Sequence, residues 1–217
     1  MIKAALRSIL FDFDGVLSKG RFYSTIPEKN YKIKDAINKN VFNKGSWNLV
    51  QTWMRGEKSF EEIHKSIAEK VGSNVEFLNK HLIDSVLRMQ LNKGLIKFAI
   101  QMRSLGVRTA IFTDNMDIFD RVFVPYHSLN EKFDFIFSSS TYKKLKLDND
   151  AFFLKETIKK MKSSPSETLL LDDSPEIGVY MNKIGGYFYH YQDYEKELPK
   201  FFKWFKENFA KYGTNLR

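Results

Sequence analysis

The stretch Ser8-Ile9-Leu10-Phe11-Asp12-Phe13-Asp14-Gly15-Val16-Leu17 decides how this chain is read. An apolar, strand-like run ends in two carboxylates one residue apart, and a glycine follows at once. Residues i and i+2 of an extended strand face the same way, so Asp12 and Asp14 can address one point just past the strand's end. A carboxylate pair there can hold a hard cation, and one member can attack an electrophile while the other handles protons. Gly15 lets the backbone turn sharply and come close to a ligand.

Outward from this stretch, strands alternate with helices. Residues 107–112, 133–137, 168–171 and 187–189 read as further short apolar strands. Residues 94–105, 115–123, 150–161, 175–184 and 194–209 have helical periodicity, with Gly106 and Gly185-Gly186 as helix stops. Such alternation implies right-handed crossovers and a Rossmann-like α/β core, its largely parallel sheet covered on both faces. Ligands bind at the carboxyl ends of strands in such sheets, which is where Asp12, Thr113 and Asp172 fall. Residues 18–92 differ in texture: helical patterns at 35–40, 46–55, 60–71 and 75–89, and no clear strand. Ser59-Phe60-Glu61-Glu62 is a capping box opening the third of these helices. The expected organisation is an α/β core from residues 1–17 and 93–217, with 18–92 inserted as an all-helical cap.

Composition narrows the chemistry. The 217 residues are 43% hydrophobic and 15% aromatic, enough for a substantial core. Cysteine is absent, and the four histidines are scattered without ligand-like spacing, which disfavours zinc and leaves oxygen-ligated magnesium as the expected metal. No run approaches the ~20 apolar residues of a membrane span, and no small-residue cleavage site follows the apolar start, so a cytoplasmic protein is expected. The net charge of +9 is spread along the chain, as solvated helix faces or as a field that attracts phosphorylated small molecules. Nucleic acid is disfavoured as a partner because the only tight basic cluster is Lys143, Lys144 and Lys146.

The opening stretch resembles the first motif of the haloacid dehalogenase superfamily, Asp-x-Asp-Gly-Val/Thr. Ile111-Phe112-Thr113-Asp114-Asn115 looks like its second motif, in which Thr113 would hydrogen-bond a phosphoryl group; Thr113 could instead cap the following helix. Lys146-Leu147-Asp148-Asn149-Asp150-Ala151-Phe152 is similar to the third, matching the lysine, an aspartate and the phenylalanine but lacking both prolines; Lys143 and Lys144 are neighbouring alternatives. Thr168-Leu169-Leu170-Leu171-Asp172-Asp173-Ser174-Pro175-Glu176 resembles the fourth, with Ile177 where an asparagine or aspartate is usual. Four motifs in order, each at a strand end, extend the resemblance over nearly the whole chain.

The resemblance implies a magnesium-dependent phosphatase. Asp12 would attack phosphorus, and Asp14 would protonate the leaving oxygen and then activate water. Asp12, the backbone carbonyl of Asp14, Asp172 and Asp173 would hold Mg2+. Thr113, Lys146 and the amide of Asp114 would bind the phosphoryl group. Family dehalogenases lack an acid at the second aspartate because a halide leaves without a proton, so Asp14 points to phosphoryl chemistry. A phosphomutase of the same fold and an idle partner-binding module stay open beside the hydrolase. Arg21, Lys44, Trp47, Trp53 and Arg55 are the cap residues that could meet a small phosphorylated substrate, Arg55 being the chosen candidate.

Overall fold

A computed structural model describes residues 5–43, 45 and 47–213. Lys44 and the side chain of Trp47 lie outside the described residues. The chain opens with strands β1 (Ser8–Phe11) and β2 (Ser18–Lys19). Helices α1 (Tyr31–Ile37), α2 (Trp47–Met54), α3 (Phe60–Ile67) and α4 (Val75–Leu87) follow, and β3 (Gln90–Leu91) closes the insertion. Next come α5 (Lys93–Ser104), β4 (Arg108–Thr113), the short α6 (Val124–Tyr126) and α7 (Leu129–Lys132), β5 (Phe135–Ser138), and α8 (Ser139–Tyr142). The chain then runs through α9 (Asp148–Lys160), β6 (Thr168–Asp172), α10 (Pro175–Lys183), β7 (Tyr187–His190), α11 (Glu197–Asn208) and α12 (Ala210–Gly213).

Five strands form one parallel sheet in the order β5-β4-β1-β6-β7. β1 lies at its centre and is buried along its whole length. Successive β1 side chains go to opposite faces, as strand geometry requires. Ile9 and Phe11 join Phe98, Met102, Phe201 and Phe205 under α5 and α11. Leu10 joins Phe112, Phe153, Leu154 and Met181 under α9 and α10. The close approach of α10 to β7 depends on Gly178, where a Cβ would lie 2.3 Å from the Phe188 ring. Strand order departs in opposite directions on the two sides of β1, through β4 to β5 and through β6 to β7. This places a crevice beyond its carboxyl end, directly at Asp12.

Three local expectations are corrected. Residues 18–92 do contain strand: β2 and β3 pair antiparallel, Ser18 opposite Leu91 and Lys19 opposite Gln90, because the two chain crossings run side by side and satisfy each other's backbone groups. The helix expected over 115–123 starts at Asp117 and widens into an i→i+5 turn over Phe119–Phe123, while Asn115 is spent on side-chain bonds described below. At the start of α9, Asn149, Asp150 and Ala151 all have positive φ (52°, 57° and 54°), so the regular helix begins after them.

Among the described residues of 18–92, α2, α3 and α4 fall where the periodicity predicted, while the helix expected over 35–40 is α1 at Tyr31–Ile37 running into an i→i+5 turn over Asn38–Phe42; Ser59 caps α3 by the expected reciprocal bonds with Glu62. Trp53 is fully buried and gives its Nε1–H to Asp117 at 2.7 Å, so it fastens α2 to the sheet-side chain and is not available to a ligand. No helix among the described residues is long and apolar enough to cross a membrane.

Candidate active site

Asp12 and Asp14 leave the end of β1 toward the same opening. A cavity of about 160 Å3 is lined by Asp12, Asp14, Thr113, Asp114, Lys146, Leu147, Asp172, Ser174 and Ile177. The ends of β1, β4 and β6, the loop before α9 and the first turn of α10 thus bring together seven of the residues singled out in the sequence: Asp12, Asp14, Thr113, Asp114, Lys146, Asp172 and Ile177.

Lys146 is the hub. Its Nζ lies 2.7 Å from Asp12 Oδ1 and 2.8 Å from Asp172 Oδ2, and only 6% of the residue is exposed. Burial opposes its charge, yet Asp12, Asp172 and Asp114 together push its pKa above the usual ammonium value. Its neighbours are occupied elsewhere. Lys143 bonds the Gly56 carbonyl, and Lys144 lies over the Phe152 ring at 3.9 Å. The Lys146 backbone is anchored as well, its N–H donating to Asp114 Oδ1 at 2.9 Å.

The carboxylates outnumber this one cation. Burial and the Asp172 charge push Asp12 well above the ordinary carboxylate range, against the pull of Lys146. Asp14 is exposed at the opening, yet the protein crowded around its carboxylate raises its pKa to about 6, with Asp173 adding to the rise and Lys146 and Asn115 opposing it. Burial likewise lifts Asp114 to about 6. Asp12, Asp172 and Asp173 each offer a carboxylate oxygen within 4.8 Å of one another, a donor set that suits a hard divalent cation. The backbone supports that set. Gly15 has φ of 77°, and a Cβ there would fall 2.5 Å from Asp173 Oδ2, so the glycine leaves room for this carboxylate. The Ser174 N–H holds Asp172 Oδ1 at 2.9 Å, and the Asp173 carbonyl sits 2.9 Å from His190 Nε2.

Thr113 is 1% exposed, and its Oγ1 has no hydrogen-bond partner among the described residues. This hydroxyl, at the wall of a polar cavity, keeps both its donor and its acceptor capacity unused. Ile177 is buried in the core cluster under α10 and forms an apolar wall, so the carboxylates here are oriented by Lys146 and the Ser174 amide instead.

Arg55 does not line the cavity. It forms a two-pronged pair with Asp148, Nη2 to Oδ1 at 2.8 Å and Nε to Oδ2 at 3.1 Å, and Asp148 Oδ2 also accepts the Leu145 N–H. Arg55 therefore braces the loop that carries Lys146. Arg21 is exposed and also stays outside the cavity. Two residues escaped the sequence reading. Asn115 donates to Asp14, and Ser139 links Asn115 to the insertion. A polar residue just past a buried strand could have flagged Asn115; nothing in the sequence flagged Ser139.

The family model for haloacid dehalogenase-like hydrolases matches residues 6–186, and the chain belongs to that family. Among solved structures, it is similar to a predicted HAD-like family hydrolase from Porphyromonas gingivalis, with 21% identity, a TM-score of 0.73, and coverage of 94% of this chain and 99% of the other. The HAD family enzyme bt-2542 from Bacteroides thetaiotaomicron, in complex with magnesium and inorganic phosphate, is 17% identical with a TM-score of 0.66, covering 85% of this chain and 93% of the other. L-2-haloacid dehalogenase from Xanthobacter autotrophicus is 14% identical with a TM-score of 0.53, over 84% of this chain and 76% of the other. At these identities the likeness is one of fold. No curated protein matches the chain.

Proposed function

We propose that this hydrolase is a magnesium-dependent phosphatase of small phosphomonoesters, working through an aspartyl-phosphate on Asp12, with residues 18–92 as a helical cap. The observation that carries the reading is the second carboxylate: Asp14 shares one cavity with Asp12, Thr113 and Lys146. A halide departs without a proton, whereas an alkoxide leaving phosphorus needs one, so an acid beside the nucleophile has a protonation to perform in phosphoryl transfer that dehalogenation lacks.

An Asp12 oxygen attacks phosphorus in line as the bond to the leaving oxygen breaks. Asp14 gives that oxygen its proton, then takes one from the water that attacks the aspartyl-phosphate, which releases phosphate and restores Asp12. Lys146 and the Thr113 hydroxyl, which line the same cavity, would bind the phosphoryl oxygens. Asp12, Asp172, Asp173 and the Asp14 carbonyl would hold Mg2+, whose charge, when bound, offsets that of the phosphoryl oxygens and orients them. The magnesium and phosphate bound to the bt-2542 enzyme, a relative in fold, support this choice of ion and ligand.

The test is release of inorganic phosphate from sugar phosphates, nucleoside monophosphates and other small phosphomonoesters. Release that a chelator silences and added Mg2+ restores is expected. Release indifferent to both removes the metal assignment, and silence across the panel removes the phosphatase reading.

A further inference from the structure

Asn115 occupies the turn just beyond β4 and is 4% exposed. Its Oδ1 accepts the Met116 N–H at 2.9 Å, which fixes the orientation of the amide, because the other end must then be the donor. That donor, Nδ2, reaches Asp14 Oδ2 at 2.9 Å. Among the described residues, it is the hydrogen-bond donor to this carboxylate. The Asp14 backbone is steadied independently, since the Phe13 ring packs on Phe119 and Phe123 at centroid distances of 4.6 and 4.8 Å. What Asn115 adds is the rotation of the carboxylate itself. Since an amide N–H can only donate, Oδ2 is engaged as an acceptor, which leaves Oδ1 as the oxygen free to carry the proton.

Asn115 is itself held from the insertion. Its backbone N–H donates to Ser139 Oγ at 2.9 Å, and the Ser139 hydroxyl donates to the Met54 carbonyl at 2.7 Å. Met54 is the last residue of α2, and Ser139 is fully buried. Three hydrogen bonds thus run from the end of an insertion helix to the second carboxylate of the site.

We propose that Asn115 is a positioning residue for Asp14, aiming its carboxylate at the leaving oxygen, and that the Ser139 bridge ties this aim to the seating of α2. The proposal rests on the phosphatase reading and adds a residue that the four motifs do not assign. If the role is positioning of an acid, its loss should hurt substrates in proportion to how much their leaving group needs a proton. A merely structural role would slow all substrates alike.

The experiment compares benzyl phosphate with 4-nitrophenyl phosphate, similar in size but unlike in leaving-group basicity. Leaving-group release in the first turnover is measured with Mg2+, for the wild-type chain and Asn115→Ala. The expected result is a loss of about 10²-fold for benzyl phosphate with a loss under about threefold for the nitrophenyl ester, and KM little changed for both. Equal losses on the two esters, or no loss on benzyl phosphate, overturn the proposal while leaving the phosphatase reading intact. Turnover of neither ester by the wild-type chain overturns the proposal, and the phosphatase reading then stands or falls on the phosphomonoester panel. If circular dichroism finds Asn115→Ala unfolded, the near-isosteric Asn115→Asp, which cannot donate when ionised, is put through the same comparison with the same criteria. Ser139→Ala should give a selective loss of the same direction and smaller size.

Discussion

The sheet's carboxyl edge and the helical insertion both bury polar groups, but they bury different kinds. At the edge, Asp12, Asp172 and Lys146 are charged groups taken out of water, and one cation faces an excess of carboxylates. In the insertion, the network around His64 and Thr25 is neutral and matched. Tyr23 Oη meets His64 Nε2 at 2.6 Å, His64 Nδ1 meets Asn79 Oδ1 at 2.5 Å, and Thr25 joins Ser85 and His81. Burial lowers the His64 pKa, which keeps the ring neutral. Neutral groups that satisfy one another need nothing further and serve packing. An unbalanced charged cluster with a free Thr113 hydroxyl is held in place by the rest of the fold, and its excess of carboxylates is what a cation can relieve.

The contrast can be broken in order of expected effect. Lys146→Met strips the edge of its cation. It should cut turnover by about 10²–10³-fold and destabilise the metal-free protein by roughly 3–5 kcal/mol, the cost of orphaning a buried charge. Turnover and melting temperature near wild-type values would mean that Lys146 is no hub. Asp14→Asn should lower turnover about 10²-fold or more while leaving magnesium binding by calorimetry in place, because the expected metal contact of this residue is a backbone carbonyl; undiminished turnover would remove the acid and base roles together.

A smaller effect should appear in the insertion as pH falls. The His64 pKa is below its ordinary 6.5 in the folded state, so the unfolded chain takes up a proton first. Stability is complete above about 6.5 and declines as pH drops from there toward the folded-state value. His81 and His127 shift the same way, so the part of the melting-temperature decline that disappears in His64→Gln isolates this residue. An identical decline in wild type and variant would contradict the neutral network.

The smallest effect concerns Arg121, which grips Glu61 of α3 with two bonds of 2.8 and 2.7 Å and also bonds Asp117. The Arg121 hydrogen bonds hold Glu61 down at about 2 against an ordinary 4.5. The stabilisation is present above 4.5 and fades as pH falls through about 2. Because both side chains are partly exposed, Arg121→Ala should cost under about 1 kcal/mol at neutral pH. A larger cost in chemical denaturation would mean that this pair holds the insertion more firmly than solvent-screened charges can.

The sheet and most of the site were legible because their signals are local. β1 is a buried apolar run that must be a strand between two strands, and Asp12, Thr113 and Asp172 follow directly from where such strands stop. Helix positions in the insertion were legible from periodicity and, at Ser59, from the capping box. What could not be read were bonds between distant segments. The β2 and β3 pair joins residues some seventy positions apart with only two residues on each side, too short for a periodic signal. Arg55 looked free because an arginine on a helix gives no hint that Asp148 awaits it across the fold. Asn115 and Ser139 belong to the same class: each is an unremarkable polar residue until tertiary contacts give it a partner.

The central claim is that Asp12 carries the phosphoryl group during turnover. The most direct measurement is an acid quench of the wild-type chain and Asp12→Asn during reaction with a phosphate-labelled substrate and Mg2+, followed by mapping of the label. Label on the peptide containing Asp12 in the wild type, absent together with phosphate release in the variant, is the predicted result. Phosphate release without protein-bound label, persisting in Asp12→Asn, would contradict it.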